Sequence, residues 1–171
     1  QMTNQNTLTN YLPSDYQTFI ATSRYARWLD DEGRRETWGE TVGRFIDNIV
    51  RPSDIDGKTI NQLEDAILNL EVMPSMRALM TAGPAAECDN TCVYNCSYLP
   101  VDHPRAFDEA MFILLCGTGV GFSVERQAIS KLPVVPEDIK DSDDLIVVQD
   151  SKEGWAKALR KVVSGLYTGD V

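Results

Sequence analysis

Gly117-Thr118-Gly119-Val120-Gly121-Phe122-Ser123-Val124 lies downstream of Asn95-Cys96-Ser97-Tyr98, with an apolar segment between them. A thiol, a helix and a glycine-lined turn into a strand thus come in close sequence order. Glycine has no Cβ, so backbone or ligand can approach the chain at these positions. The dinucleotide fingerprint needs a strand before its glycines and a helix after them; here the order is reversed. Two readings stay open. The glycines permit tight helix–strand packing, or they start a strand whose bare backbone lies against a small molecule. Asn95-Cys96 favours the second, because both segments can converge at the ends of adjacent strands. A thiol at such a turn suggests redox chemistry.

The chain has 171 residues and a formal net charge of −10. That length supports a real core. That charge repels a polyanionic backbone, which argues against nucleic acid as a partner. Met111–Cys116 is the longest uncharged apolar stretch, far short of a bilayer span, so no membrane is expected. Gln1–Asn6 has neither the basic flank nor the apolar middle of a signal peptide, and reads as a disordered lead-in. A cytoplasmic protein is the expectation.

The first part of the chain reads as helices. Ser14 caps a helix carrying Tyr16, Phe19, Ile20, Tyr25 and Trp28, ended by the break at Asp30–Gly33. Thr37 and Glu40 form a capping-box pattern ahead of Val42, Phe45, Ile46 and Ile49, and Arg51-Pro52 stops that helix. Thr59 and Gln62 repeat the pattern before the stripe Ile60, Leu63, Ile67 and Leu70, closed by Pro74. From Met73 to Cys96, small residues and Gly83-Pro84 predict loop or extended chain. A helix then starts near Pro104 and buries Phe107, Met111, Phe112, Leu114 and Leu115; Gly119–Glu125 is a strand. Lys131–Asp144 is a surface connection, Leu145–Val148 a second short strand, and Asp150 and Glu153 open a last helix. The fold class is α/β, with a helical module at 1–72 and a strand–helix unit from 73 to 171. So few strands cannot cover both their faces, so the chain reads as the opening of a larger fold.

Cys88, Cys92 and Cys96 are spaced by four; Cys116, between Leu115 and Gly117, reads as a small buried hydrophobe. The cluster could offer thiolates to a metal, but the two-residue spacing of zinc sites is absent, and His103 sits beside a proline in a cap. A reversible dithiol involving Cys96 or one of its neighbours is the stronger reading, and a cysteine-based metal module the alternative. The acids at 141, 143 and 144 form a solvated loop without paired-carboxylate geometry.

Several stretches resemble, in order, the adenosylcobalamin-dependent (class II) ribonucleotide reductases, particularly the monomeric ribonucleoside-triphosphate type. Tyr25-Ala26-Arg27-Trp28-Leu29, Gly33-Arg34, Trp38 and Glu40-Thr41-Val42 look like the family's amino-terminal helical segment. Pro74-Ser75-x-Arg77 with Thr81-x-Gly83 looks like its approach to the barrel. Asn95-Cys96 and Gly119–Val124 match its first-strand cysteine and following turn, and Glu153-Gly154-Trp155 the start of the next helix.

The resemblance implies reduction of a ribonucleotide's 2′-hydroxyl inside a ten-stranded α/β barrel, with adenosylcobalamin generating a thiyl radical on a finger-loop cysteine. A cysteine pair becomes a disulfide, and a thioredoxin-like reductant restores it. Cys96 aligns with the first-strand member of that pair. Asn95, Ser97 and Gly119 fall where the family holds substrate, Arg77 is a further substrate or phosphate contact, and Asp102 lies near where related reductases hold an effector nucleotide. No metal ligand is implied. The radical cysteine, the second redox cysteine and most cobalamin contacts lie later in the family's sequence than Val171. A carboxy-terminal reductase fragment or chain is therefore the expected partner, with a non-catalytic, regulatory reductase-like fragment as a further alternative. The stretch from Glu125 to Glu153 is also much shorter than the insertion with which monomeric members imitate a dimer partner.

Overall fold

The structure, a computed structural model, describes residues 12–169, so the lead-in at Gln1–Asn6 lies outside the described residues. The chain divides into two compact units, Gln1–Val93 and Tyr94–Val171.

In the first unit, Ser14 caps α1 (Asp15–Ile20) by accepting from Gln17 N, and a π turn at Ala21–Tyr25 ends it. Trp28 is not helical as expected. It pairs with Arg35 in a short antiparallel hairpin of β1 (Trp28–Leu29) and β2 (Arg34–Arg35), turned at Gly33 with φ +63°. The expected capping box is present at α2 (Trp38–Phe45): Thr37 accepts from Glu40 N and Glu40 reaches back to Thr37 N. A π turn, Ile46–Val50, carries α2 up to Arg51. α3 (Gly57–Leu68) is capped by Asp56 rather than Thr59, because the Asp56 carboxylate accepts from both Lys58 N and Thr59 N. Hydrogen bonds led by the Thr59 hydroxyl lower the Asp56 pKa.

The stretch expected as loop contains α4 (Met76–Thr81), α5 (Pro84–Cys88) and a 3-10 turn at Asn90–Val93. Pro74 and Gly83 bound a run of five good helix formers, Met76 to Met80, rather than a loop. Ala78, Leu79 and Ala82 join Val42, Ile46 and Ile67 in the core of this unit.

In the second unit, β3 (Cys96–Pro100) and β4 (Gly119–Ser123) pair in parallel, Cys96 opposite Gly119 and Tyr98 opposite Gly121. The crossover is α6 (Ala106–Leu115), as parallel pairing requires a long connection. Leu99, Val101 and Ala106 form a small core with Val120 and Ile113. Phe107, Leu114 and Leu115, expected to be buried, are 41%, 56% and 45% exposed, and Ala106 and Asp108 are buried instead. The apolar pattern of α6 thus exceeds what this unit covers. α7 (Arg126–Ile129) follows β4, and Leu145–Val148 forms no strand. α8 (Lys152–Thr168), capped by Ser151 rather than Asp150, packs on α6, where the Arg160 Nη2 lies 2.6 Å from the buried Asp108 carboxylate. That bond raises the Arg160 pKa.

The resolved sheets are two-stranded. Among the described residues, no helix is long and apolar enough to cross a membrane.

Candidate functional site

Each strand residue faces opposite to its neighbours. Leu99 and Val120 therefore point toward α6, and Cys96, Tyr98, Gly119 and Gly121 share the other face. Cys96 stands at the first residue of β3 and is an exposed, unbridged thiol. Its matched partner is Gly119, whose N–H donates to Asn95 O at 2.9 Å. A Cβ added to Gly119 would lie 3.7 Å from Cys96 Sγ and 3.5 Å from Asn95 O. The bare strand therefore leaves open the volume beside the sulfur.

The preceding turn is built to hold this register. Gly117 adopts φ +82° after α6, a conformation that favours glycine. Thr118 is buried, and its hydroxyl donates to Tyr94 O at 2.9 Å, fastening the turn to the residues leading into β3. Ser97 lies on the α6 side, and its hydroxyl donates to Gly119 O at 3.2 Å. Asn95, Cys96, Ser97 and Gly119 are thus brought together. Ser97 meets Gly119 through its carbonyl and does not share the Cys96 face.

The other sequence candidates belong to other elements. Asp102 is half-buried just past β3, with Lys131 Nζ at 3.4 Å and His103 Nε2 at 3.8 Å. Arg77 belongs to α4 of the first unit. Cys88 ends α5, and Cys92 lies in the 3-10 turn. Among the described residues, no three His, Cys, Asp or Glu side chains are grouped to hold a metal ion. Cys116 is buried as expected, with Lys152 Nζ at 3.5 Å from its sulfur.

Tyr98, which the sequence did not single out, shares the face of Cys96 and is exposed. The signal was the alternation of β3 itself, which puts residue 98 on the face of residue 96.

No family model matches the chain. It is 29% identical over 172 aligned positions to the adenosylcobalamin-dependent ribonucleoside-triphosphate reductase of Lactobacillus helveticus, across 81% of this chain and 22% of that protein. The reductase of the same name from Lacticaseibacillus paracasei is 30% identical over 149 positions, 65% of this chain and 19% of that one. A solved B12-dependent (class II) ribonucleotide reductase superimposes with a TM-score of 0.70 at 20% identity, covering 89% of this chain and 31% of that one. The chain resembles these reductases in sequence and shares the class II fold over this region. It spans about a fifth of the length of these two curated relatives.

Proposed function

We propose that this chain is the amino-terminal part of a cobalamin-dependent ribonucleotide reductase. The first unit, which ends at Val93 rather than at residue 72, is its helical module, and the unit that starts at Tyr94 opens a ten-stranded α/β barrel that a carboxy-terminal remainder completes. The substrate is a ribonucleoside triphosphate or diphosphate. The observation that carries this reading is the exposed Cys96 thiol beside the bare strand at Gly119, where a sugar can lie close to sulfur because no Cβ intervenes.

Replacing a 2′-hydroxyl by hydrogen takes two electrons and two protons. Two thiols supply both: they become one disulfide as the hydroxyl departs as water. Cys96 is one donor, and the second comes from the remainder. A thiyl radical on another cysteine of the remainder takes the 3′-hydrogen and later returns it, so the balance is unchanged. A thioredoxin-like protein then reduces the disulfide. Asn95 and Gly119 present backbone to the sugar, and Ser97 steadies the Gly119 carbonyl. Arg77 is assigned to substrate or phosphate, and Asp102 to an effector nucleotide.

Adenosylcobalamin initiates the radical when bound, but this chain's residues do not fit a seat for it. Four cavities among the described residues measure about 320 to 500 Å³, each too small for a corrin with its adenosyl group and tail. The remainder is assigned that site.

The test combines this chain with the carboxy-terminal portion of a related reductase and measures deoxyribonucleotide formation. Turnover is expected with the wild-type chain and with Cys88→Ser and Cys92→Ser, and its loss with Cys96→Ser. Undiminished turnover with serine at 96 would overturn the reading. Stoichiometric zinc or iron on the purified chain, lost in the Cys88 and Cys92 variants, would favour a metal module instead.

A further inference from the structure

We infer that Tyr98 is a specificity-determining residue of this site, its ring forming the surface on which the base of the nucleotide stacks. The inference rests on the reading that the sugar lies beside Cys96. Residues two apart on a strand share a face and stand about 7 Å from each other. In a nucleotide the base is joined to the 1′-carbon, next to the 2′-carbon that a thiol must approach. A base therefore extends from the reacting carbon by roughly the same spacing that separates Cys96 from Tyr98.

The strands make room for such a ligand. Tyr98 is 68% exposed, and its partner in register is Gly121. A Cβ at Gly121 would meet Tyr98 Cδ2 at 3.9 Å, so the ring leans over a strand position that carries no side chain. Cys96 leans over Gly119 in the same way. A thiol and a phenol thus rise side by side from an otherwise bare stretch of backbone.

Charge selects the base over the phosphates as the group that meets this ring. Neither strand contains Lys or Arg, and the chain carries a net charge of −10. A triphosphate would find no counter-charge on these strands, whereas a neutral heterocycle needs only a π face.

The experiment uses the assembled reductase with Tyr98→Phe, Tyr98→Leu and Cys96→Ser chains and each ribonucleotide in turn. Phenylalanine keeps the π face and should leave KM within about twofold. Leucine removes it and should raise KM about tenfold, more for purines than for pyrimidines, with kcat little changed. A base-independent KM, or an equal loss of kcat for every nucleotide, would overturn the inference. If the leucine variant does not fold, fluorotyrosine NMR reports instead: bound nucleotide should shift the Tyr98 signal upfield, and an unmoved signal overturns the proposal. Cys96→Ser separates the two levels. An active serine chain brings down the reductase reading itself, whereas an inactive one beside an unaffected leucine variant brings down only the role of Tyr98.

Discussion

Arg44 clasps Glu36 through two hydrogen bonds, Nε to Oε1 at 2.7 Å and Nη2 to Oε2 at 2.9 Å. Both side chains are largely sealed from water, at 14% and 6% exposure. The same guanidinium donates to Leu79 O and Ala82 O at 2.9 Å and to Tyr25 O at 3.3 Å. One charged group therefore joins the end of the first π turn, the hairpin, α2 and the end of α4. Burial pushes the Glu36 carboxyl up, but hydrogen bonds from Arg44, Arg27 N and Thr41 outweigh it and hold the pKa below its ordinary value. Removing either partner strands the other in a poorly solvated place. Arg44→Met and Glu36→Gln should each cost about 3–5 kcal/mol in urea unfolding, and the double variant less than their sum. A single-variant loss under about 1 kcal/mol would contradict a shared network.

Acid should weaken the first unit at a defined place. Glu40 accepts both Arg34 Nη1 and Nη2, at 2.8 and 2.7 Å, and the backbone N–H of Thr37. The Arg34 hydrogen bonds, ahead of those from Thr37, lower its pKa from 4.5 to about 2. Because the folded value is depressed, the stabilisation is complete above 4.5 and disappears as pH falls toward 2. The thermal midpoint should hold steady from neutral pH down to about 5 and then fall. Arg34→Gln should lower the midpoint at neutral pH and make the fall between about pH 5 and 2 shallower, because the Glu40 pKa then returns toward 4.5; a fall of unchanged size would show that the pair does not contribute.

The contrast between Glu40 and Arg44 also shows which features could be read from the chain alone. A capping box spans residues 37 to 40, so its chemistry is local and its pattern visible. The Arg44 network draws on residues from Tyr25 to Ala82 and leaves no spacing to read. Cys96 and the strand after Gly119 were legible because a bare glycine strand and a preceding thiol constrain each other. Trp28 was misplaced because its apolar spacing continues a helix, whereas the hairpin is fixed by backbone pairing with Arg35. α4 was hidden between Pro74 and Gly83, whose signals dominated the five helix-forming residues Met76 to Met80. Phe107, Leu114 and Leu115 fit a buried stripe in sequence; the faces they would cover are not supplied by this unit.

Gly119 should be sensitive to size before it is sensitive to fold. An added methyl would make ordinary contacts at 3.5 and 3.7 Å, so Gly119→Ala should change stability by less than about 1 kcal/mol. Gly119→Val extends further and should shield the sulfur. In a chain whose other exposed thiols are replaced by serine, reaction of Cys96 with an aromatic disulfide reagent should slow about tenfold with valine and little with alanine. Equal rates in all three would mean that the bare strand does not control access to the thiol.

The α6–α8 contact has its own polar anchor. Arg160 donates Nε and Nη2 to Asp108 Oδ2 at 2.8 and 2.6 Å, while Asp108 itself is 2% exposed. Arg160→Met leaves that carboxylate buried without its cation. Because Arg160 is half-exposed, the expected loss is about 1–3 kcal/mol. Replacing both residues with apolar side chains should recover most of it, as read by the unfolding midpoint; a double variant as weak as the single would rule out a stranded carboxylate as the cause.

The crossover helix has a consequence for reactivity. Ala106, 2% exposed in its first turn, sets how closely α6 can settle on the two strands, and those strands hold residues 96 and 119 abreast. Enlarging that methyl would overfill the seam and push the helix away from the strands it covers. The packing on the helix side of the sheet thus supports the backbone that carries the sulfur on its other face.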